Sequence, residues 1–300
     1  KVSKVQIWTN RPVWPQGGAF PKADPSNKPS DMGWDLWLGP APEIPFTPNL
    51  HPFNWRGWWD YGTGALGDVG CHLMDIPFRM LGLQYPLDAE CSVGSVYSQM
   101  WTPDYNPAGC PASSFITLHY GPTGKNGVPL EMTWMDGGIR PSHPDIIPAD
   151  HDLGGANSAN GVMMIGEKGI ITHNINDSSP LMPKLYLYDG TKEFGPDRIE
   201  GTEPEYGHQR KWVDACKAGF GSNEHKGLTS SFDYAGPMTE TVLMGNLAIR
   251  SFMLRKPNSK GQQEFFGRRK LLWDGENMRI TNLEEANQFV GRTYRAGFEV

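Results

Sequence analysis

The stretch GTGALGDVGCHLMDIPFRMLGL at residues 62–83 decides how the chain is read, because its spelling supports two incompatible folds. Gly62, Gly64 and Gly67 match GxGxxG, and Asp88 lies about twenty residues further on, as in a dinucleotide-binding turn. That turn requires a buried apolar strand entering the glycines, a helix whose N-terminus faces the pyrophosphate, and an acid at the far end of the next strand. What enters here is Asn54-Trp-Arg-Gly-Trp-Trp-Asp-Tyr61, with no Val/Ile run, and Asp88 and Glu90 precede the next strand-like segment, Cys91 to Tyr97. The glycines therefore read as a tight backbone turn onto a closely packed helix. From Asp68 onward, Val69, Leu73, Ile76 and Met80 recur at three- and four-residue spacing and Gly82 stands near the end. A short amphipathic helix is predicted there, with Pro77 bending it or limiting its first regular turn.

The other side of that helix carries Asp68, His72 and Asp75 at i, i+4 and i+7, so the three project together. A carboxylate one turn before an imidazole can fix its tautomer and leave the second ring nitrogen to exchange a proton with a hydroxyl, which suits general acid/base work. A solvated helix face shows the same spacing. Asp75 could complete a metal triad, but no second His lies nearby, and no metal site is assigned.

Outward from this helix the pattern changes twice. Segments 91–97, 114–120 and 128–134 mix β-branched and aromatic residues between turn formers. Residues 161–173 read as a hairpin turning at Glu167-Lys168, and 185–188 form another strand closed by Asp189-Gly190. Helices are predicted over 205–218, over 238–254 with Pro237 entering the first turn, and over 283–290. Strands bunched between helices predict an α+β fold: a large open, mainly antiparallel β-sheet with helices packed on one face, in one unit over residues 1–300. Residues 10–63 are different, for ten prolines forbid a long helix and six tryptophans can anchor the loop. This segment reads either as a packed cover over the sheet or as a wall of a pocket for a polar ligand, since sugars offer apolar C–H faces to aromatic rings.

Composition sets the outer limits. The chain has 36 Gly and 26 Pro, and its 27 basic residues against 33 acidic ones give −6 without a long run of either sign. No electrostatic footprint for nucleic acid or anionic lipid is present. No apolar stretch approaches the ~18 residues of a membrane span, and the opening lacks the layout of a signal peptide. The chain starts at Lys1 without Met and soon enters the strand-like Lys4-Val5-Gln6-Ile7-Trp8-Thr9, which reads as a chain with an upstream part removed. The compartment, cytoplasmic or periplasmic, stays open. Cys71, Cys91, Cys110 and Cys216 are scattered and read as four separate thiols, with two disulfides as the alternative in an exported protein.

Further candidates for gripping a polyol are Arg11, Arg56, Trp58 and Trp59 in the Trp/Pro-rich loops, Asp75 on the helix, and Trp134 and Asp136 at a strand end. His119 and His173 read as sheet residues.

The segment GTGALGDVGCHLMD resembles the helix motif of the Gfo/Idh/MocA oxidoreductases, the glucose–fructose oxidoreductase and inositol dehydrogenase family. The resemblance extends to WDLWLGPAP at 34–42, HPFNWRGWWDYG at 51–62, FDYAGPMTETVLMGNLAIR at 232–250, and TNLEEAN and YRAGFEV near the end. It implies a two-part enzyme, with an N-terminal Rossmann domain holding NAD or NADP and a C-terminal α/β domain that shapes the substrate site and often the oligomer interface. This chain looks like the second part alone. The family's Glu-Lys-Pro motif is missing, since Glu167-Lys168 is followed by Gly169, so the cofactor and the catalytic lysine would belong to residues outside the chain. By matching position, His72 would be the proton-transfer residue and Asp68 its partner, acting on a sugar or cyclitol hydroxyl, in a homo-oligomer formed through the sheet. A glycosidase that uses bound NAD for transient oxidation fits the same residues. A carbohydrate-binding or assembly module without catalysis is the reading from a different class.

Overall fold

Strands form where apolar side chains alternate with polar ones, and helices where the apolar period lengthens to three or four. The computed structural model describes residues 1–151, 153, 160–176, 179–180, 183–194 and 206–299. In chain order the strands are β1 (Val2–Trp8), β2 (Asp88–Val93), β3 (Ser114–Tyr120), β4 (Leu130–Met135), β5 (Asn160–Gly166), β6 (Gly169–Asn176), β7 (Ser179–Pro180), β8 (Lys184–Leu187), β9 (Lys192–Phe194), β10 (Arg255–Pro257), β11 (Gln263–Phe265), β12 (Leu271–Asp274) and β13 (Arg279–Ile280). The helices are α1 (Trp34–Leu38), α2 (Gly64–Leu81), α3 (Gly207–Ala218), α4 (Asn223–Lys226) and α5 (Phe232–Phe252).

Apart from the β10–β11 hairpin, the strands join one sheet in the order β13-β12-β2-β3-β4-β1-β5-β6-β8-β9, with β7 on β6. Every pairing is antiparallel except β1 with β4, where Ile7 stands beside Trp134. The expected α+β architecture, an open and mostly antiparallel sheet, is what forms. The helices cover one face. Val5, Ile7, Ile116, Leu118, Met132 and Trp134 from the strands meet Leu66, Leu73 and Phe78 of α2 and Val242 and Leu247 of α5 in the main core. On the other face, Ile147 covers Trp8, Met135, Met163, Ile170 and Tyr186, while Lys4, Glu131, His119 and Asp88 form a polar ladder across the open strands.

α2 and α5 lie side by side, and Gly245 sets how close they come. A Cβ there would stand 2.6 Å from Leu66 Cδ2 and 3.2 Å from Ile116 Cδ1, both buried atoms. The Trp/Pro-rich segment has a small core of its own, in which Trp34, Leu38, Leu50 and Trp58 are buried. It orders without regular structure because its indoles supply area and donors together, as where Trp34 Nε1 donates to the Ile44 carbonyl at 2.9 Å.

Several boundaries differ from expectation. α2 begins at Gly64 and carries Pro77 in its interior before ending at Gly82 in the left-handed region. α5 begins at Phe232, so Pro237 lies in its second turn. The strand expected at 91–97 is Asp88–Val93, because His119 on β3 fixes Asp88 at 2.5 Å. The closing helix is a 3₁₀ turn, Glu284–Phe289. α3 is described from Gly207, and the expected start at Glu205 lies outside the described residues.

Candidate functional site

A 3₁₀ turn, Asn54–Gly57, delivers Arg56 to the start of α2. Its Nε donates to Asp68 Oδ1 at 2.9 Å, and Nη1 donates to the Phe53 carbonyl at 2.9 Å. The guanidinium lies over the rings of Phe53 (4.3 Å), Trp55 (4.6 Å) and Trp14 (5.8 Å). Asp68 is thus held by Arg56 and not by His72, which corrects the expected acid–imidazole pair. The reason is geometric and electrostatic: a permanently charged fork, partly desolvated by three rings, donates to the Asp68 carboxylate from directly opposite it. His72 is exposed, one turn further along, with no hydrogen-bond partner among the described residues.

Asp75, on the same side of α2, is taken up by α5 instead. Its Oδ1 accepts from the Tyr234 hydroxyl and stands 4.0 Å from Arg79 Nη2, while the Arg79 guanidinium lies 4.2 Å over the Tyr234 ring. Burial, and then the neighbouring Asp75, push the Tyr234 hydroxyl up to about 12. Asp75 therefore clips α2 to α5.

The remaining candidates separate. Arg11 is half-buried after β1, with Nη1 donating to Asn10 Oδ1 at 3.2 Å. Trp58 is 3% exposed in the small core, edge-on to Phe20. Trp134 is 1% exposed, and its Nε1 donates to Asp136 Oδ2 at 2.9 Å. Asp136 also accepts from the Ser114 backbone N–H at 2.5 Å and the Ser114 hydroxyl at 2.8 Å. Burial raises its pKa to about 6, outweighing these three bonds, each of which pulls it down. Trp58, Trp134 and Asp136 are buried, none of them facing solvent. Inward alternation at the end of β4 places Trp134 and Asp136, while Trp58 leaves the 3₁₀ turn Asn54–Gly57 into the small Trp-rich core. Trp59 is half-buried in a cleft on the far side of α5.

Two clefts flank α5. One of about 510 Å³ lies toward α2, bordered by Cys71, Asp75, Arg79, His208 and Tyr234. The other, about 800 Å³, is bordered by Trp59, Glu240, Asn246, Arg250, Trp273 and Phe289. Neither is lined by Asp68 or His72. Sequence reading passed over Tyr234, Asn246 and Arg250. A polar pair at i and i+4 within the apolar run of α5 was the available signal for the last two.

The glycine motif does not cradle a dinucleotide. A 3₁₀ turn and an irregular segment, not a strand, lead into it. A Cβ on Gly62 would lie 2.7 Å from Arg56 Cα, and Gly64 adopts φ +65° against Cys110, so both serve the turn that brings Arg56 onto α2. Among the described residues no group of three His, Cys, Asp or Glu side chains could hold a metal, and no helix is long and apolar enough to cross a membrane. All four cysteines are free; burial pushes the Cys110 thiol up, and Cys91 to about 12.

Known proteins resemble this chain at a distance. An oxidoreductase from Sinorhizobium meliloti aligns over 88% of this chain and 56% of its own, at 11% identity and a TM-score of 0.40. An inositol dehydrogenase homologue from Azotobacter vinelandii, solved with NADH and myo-inositol, aligns over 83% and 54% at 15% identity and 0.39. Levoglucosan dehydrogenase with NADH and levoglucosan aligns over 83% and 56% at 14% identity and 0.38. The chain spans about half the length of these solved structures. No curated protein sequence matches it. Residues 2–95, which include β1, the Trp/Pro-rich segment and α2, match the oxidoreductase family C-terminal alpha/beta domain of the Gfo/Idh/MocA type, and at superfamily level this segment is similar to that domain.

Proposed function

We propose that this chain is the substrate-side part of an NAD(P)-dependent oxidoreductase acting on a sugar or cyclitol hydroxyl, with His72 exchanging the hydroxyl proton. One observation carries the reading: the segment matched to the oxidoreductase domain bears an exposed, unpartnered imidazole one helical turn beyond the Arg56–Asp68 pair. An imidazole with an open ring nitrogen can act as general base toward an alcohol brought within hydrogen-bond reach. Asp68 acts at one remove, since by holding Arg56 it fixes the loop 51–62 against α2. Arg56 at the start of α2, and separately Arg11 after β1, are the cationic donors offered to polyol oxygens. The described residues offer no dinucleotide cradle, so on this reading NAD or NADP is held by a neighbouring nucleotide-binding domain. The chain's own share is proton exchange and polyol binding. Association of two copies through the open face of the sheet belongs to the same reading.

A second reading, a carbohydrate-binding module without catalysis, has its own support. Asp68 is already engaged, and the half-buried Trp37, stacked at 4.7 Å on the buried Trp34 with the half-buried Tyr61 beside it, offers aromatic surface of the kind a sugar face meets. Titrating the chain with myo-inositol and with levoglucosan, with nuclear magnetic resonance on the His ring and Arg side-chain signals, separates the two. The enzyme reading expects the His72 and Arg56 signals to move together, and the His72 signal to stop moving in Arg56→Met. Shifts confined to the Trp34–Trp37–Tyr61 cluster would favour the module and sink the acid/base role.

A further inference from the structure

Between Val242 and Arg250, α5 carries two polar side chains in an otherwise apolar run, Asn246 and Arg250, four residues apart and therefore on one side of the helix. Asn246 is 4% exposed, and neither its amide nitrogen nor its amide oxygen has a partner among the described residues. Arg250 is half-buried between two rings, 4.3 Å from Phe289 and 5.6 Å from Trp59. Among the described residues no carboxylate lies within 4 Å of its guanidinium, and no side-chain hydrogen bond anchors it. Burial lowers its pKa, and Asp60 opposes that only from a distance. Buried polar groups are normally satisfied, so the unpartnered Asn246 amide beside a half-buried guanidinium calls for an explanation.

Both residues line the 800 Å³ cleft, a size ordinary for a small-molecule site. Its walls are apolar where they pass Leu243 and Trp273. Two acidic residues of α5 border this cleft: Glu240, whose Oε1 is occupied by Trp273 Nε1 at 2.6 Å, sits ten residues before Arg250, about 15 Å along the helix, and Asp233 lies further off still. The two ends of the cleft are thus chemically distinct: a cationic, donor-rich end and a longer apolar trough.

We propose that this cleft binds a small amphipathic carboxylate, its head taken by Arg250 and Asn246 and its apolar body lying along Leu243 and Trp273. The guanidinium supplies two parallel N–H donors that match a carboxylate, and the Asn246 amide adds a third. The flanking rings exclude water and keep that pair strong. The site is separate from the Arg56–Asp68–His72 corner and does not depend on the function proposed for it.

The test uses the 300-residue chain with octanoate below its micellar range, and octanamide as the uncharged counterpart, by titration calorimetry. Octanoate is expected to bind saturably and octanamide at least about tenfold more weakly. Arg250→Met is expected to weaken octanoate by about tenfold as well. Asn246→Leu is expected to weaken octanoate while raising the urea midpoint, since it removes an unpartnered buried amide. This variant and the acid–amide comparison decide the matter if Arg250→Met does not fold. Equal binding of acid and amide, or no saturable octanoate binding, would overturn the proposal. So would a concentration-dependent dimer that Leu243→Glu dissolves, because that result assigns the cleft to a second copy of the chain.

Discussion

Arg56 joins three things that sequence lists apart: the carboxylate of Asp68, the carbonyl of Phe53 and the faces of three aromatic rings. Removing it strands a partly buried carboxylate and unstacks the loop. Arg56→Met is therefore expected to lower unfolding free energy by about 1–2 kcal/mol in urea. Arg56→Lys should recover less than half, because an ammonium cannot bridge two acceptors as a fork does. No change in either variant would remove the clip from this account. Asp136 gives a pH signature. Its folded pKa, about 6, lies above the ordinary carboxylate value of 3.8, so the folded state holds the proton more tightly. The stability this contributes is fully present below about pH 4 and is lost as pH rises through 6, about 3 kcal/mol in all. Asp136→Asn should flatten this fall relative to the parent between pH 4 and 7, and an unchanged slope would contradict the assignment. The side-by-side placing of Asp68, His72 and Asp75 could be read from spacing alone. Their partners could not: Arg56 arrives through a 3₁₀ turn, and Tyr234 lies 159 residues from Asp75.

The two long helices derive their positions from small residues at their contact. Alanine favours a helix over glycine by about 1 kcal/mol. At Gly245 that gain is outweighed, because a methyl there would meet Leu66 and Ile116, both buried in the core. Gly245→Ala is expected to lower stability by about 1–2 kcal/mol net, as overpacked cores do, and a rise in thermal midpoint would show the helices free to part. The apolar period disclosed both helices but not their starts. α2 continues back to Gly64 because the glycines that look like a nucleotide loop are packing positions. α5 accommodates Pro237 one turn later than expected, its first turn closed by bonds from Tyr234 and Ala235 to the Ser231 carbonyl.

Across the molecule, alternation identified most strands and the open α+β sheet, yet not their order. β1, first in sequence, lies in the middle between β4, its parallel partner, and β5. Nothing local encodes such a crossover; it follows from burying Val5 and Ile7 on both flanks. The same non-local placement turned Trp134 and Asp136 inward and left α2 with an outward strip carrying His72. That strip is the basis of the proposed chemistry. The direct test is turnover of sugars and cyclitols, read by nicotinamide absorbance, in a protein that joins this chain to the proposed nucleotide-binding domain, with and without His72→Ala. Turnover should fall at least about 100-fold, with nucleotide affinity and thermal midpoint unchanged. Turnover equal to the parent's would contradict the assignment of His72 and leave α2 an architectural element.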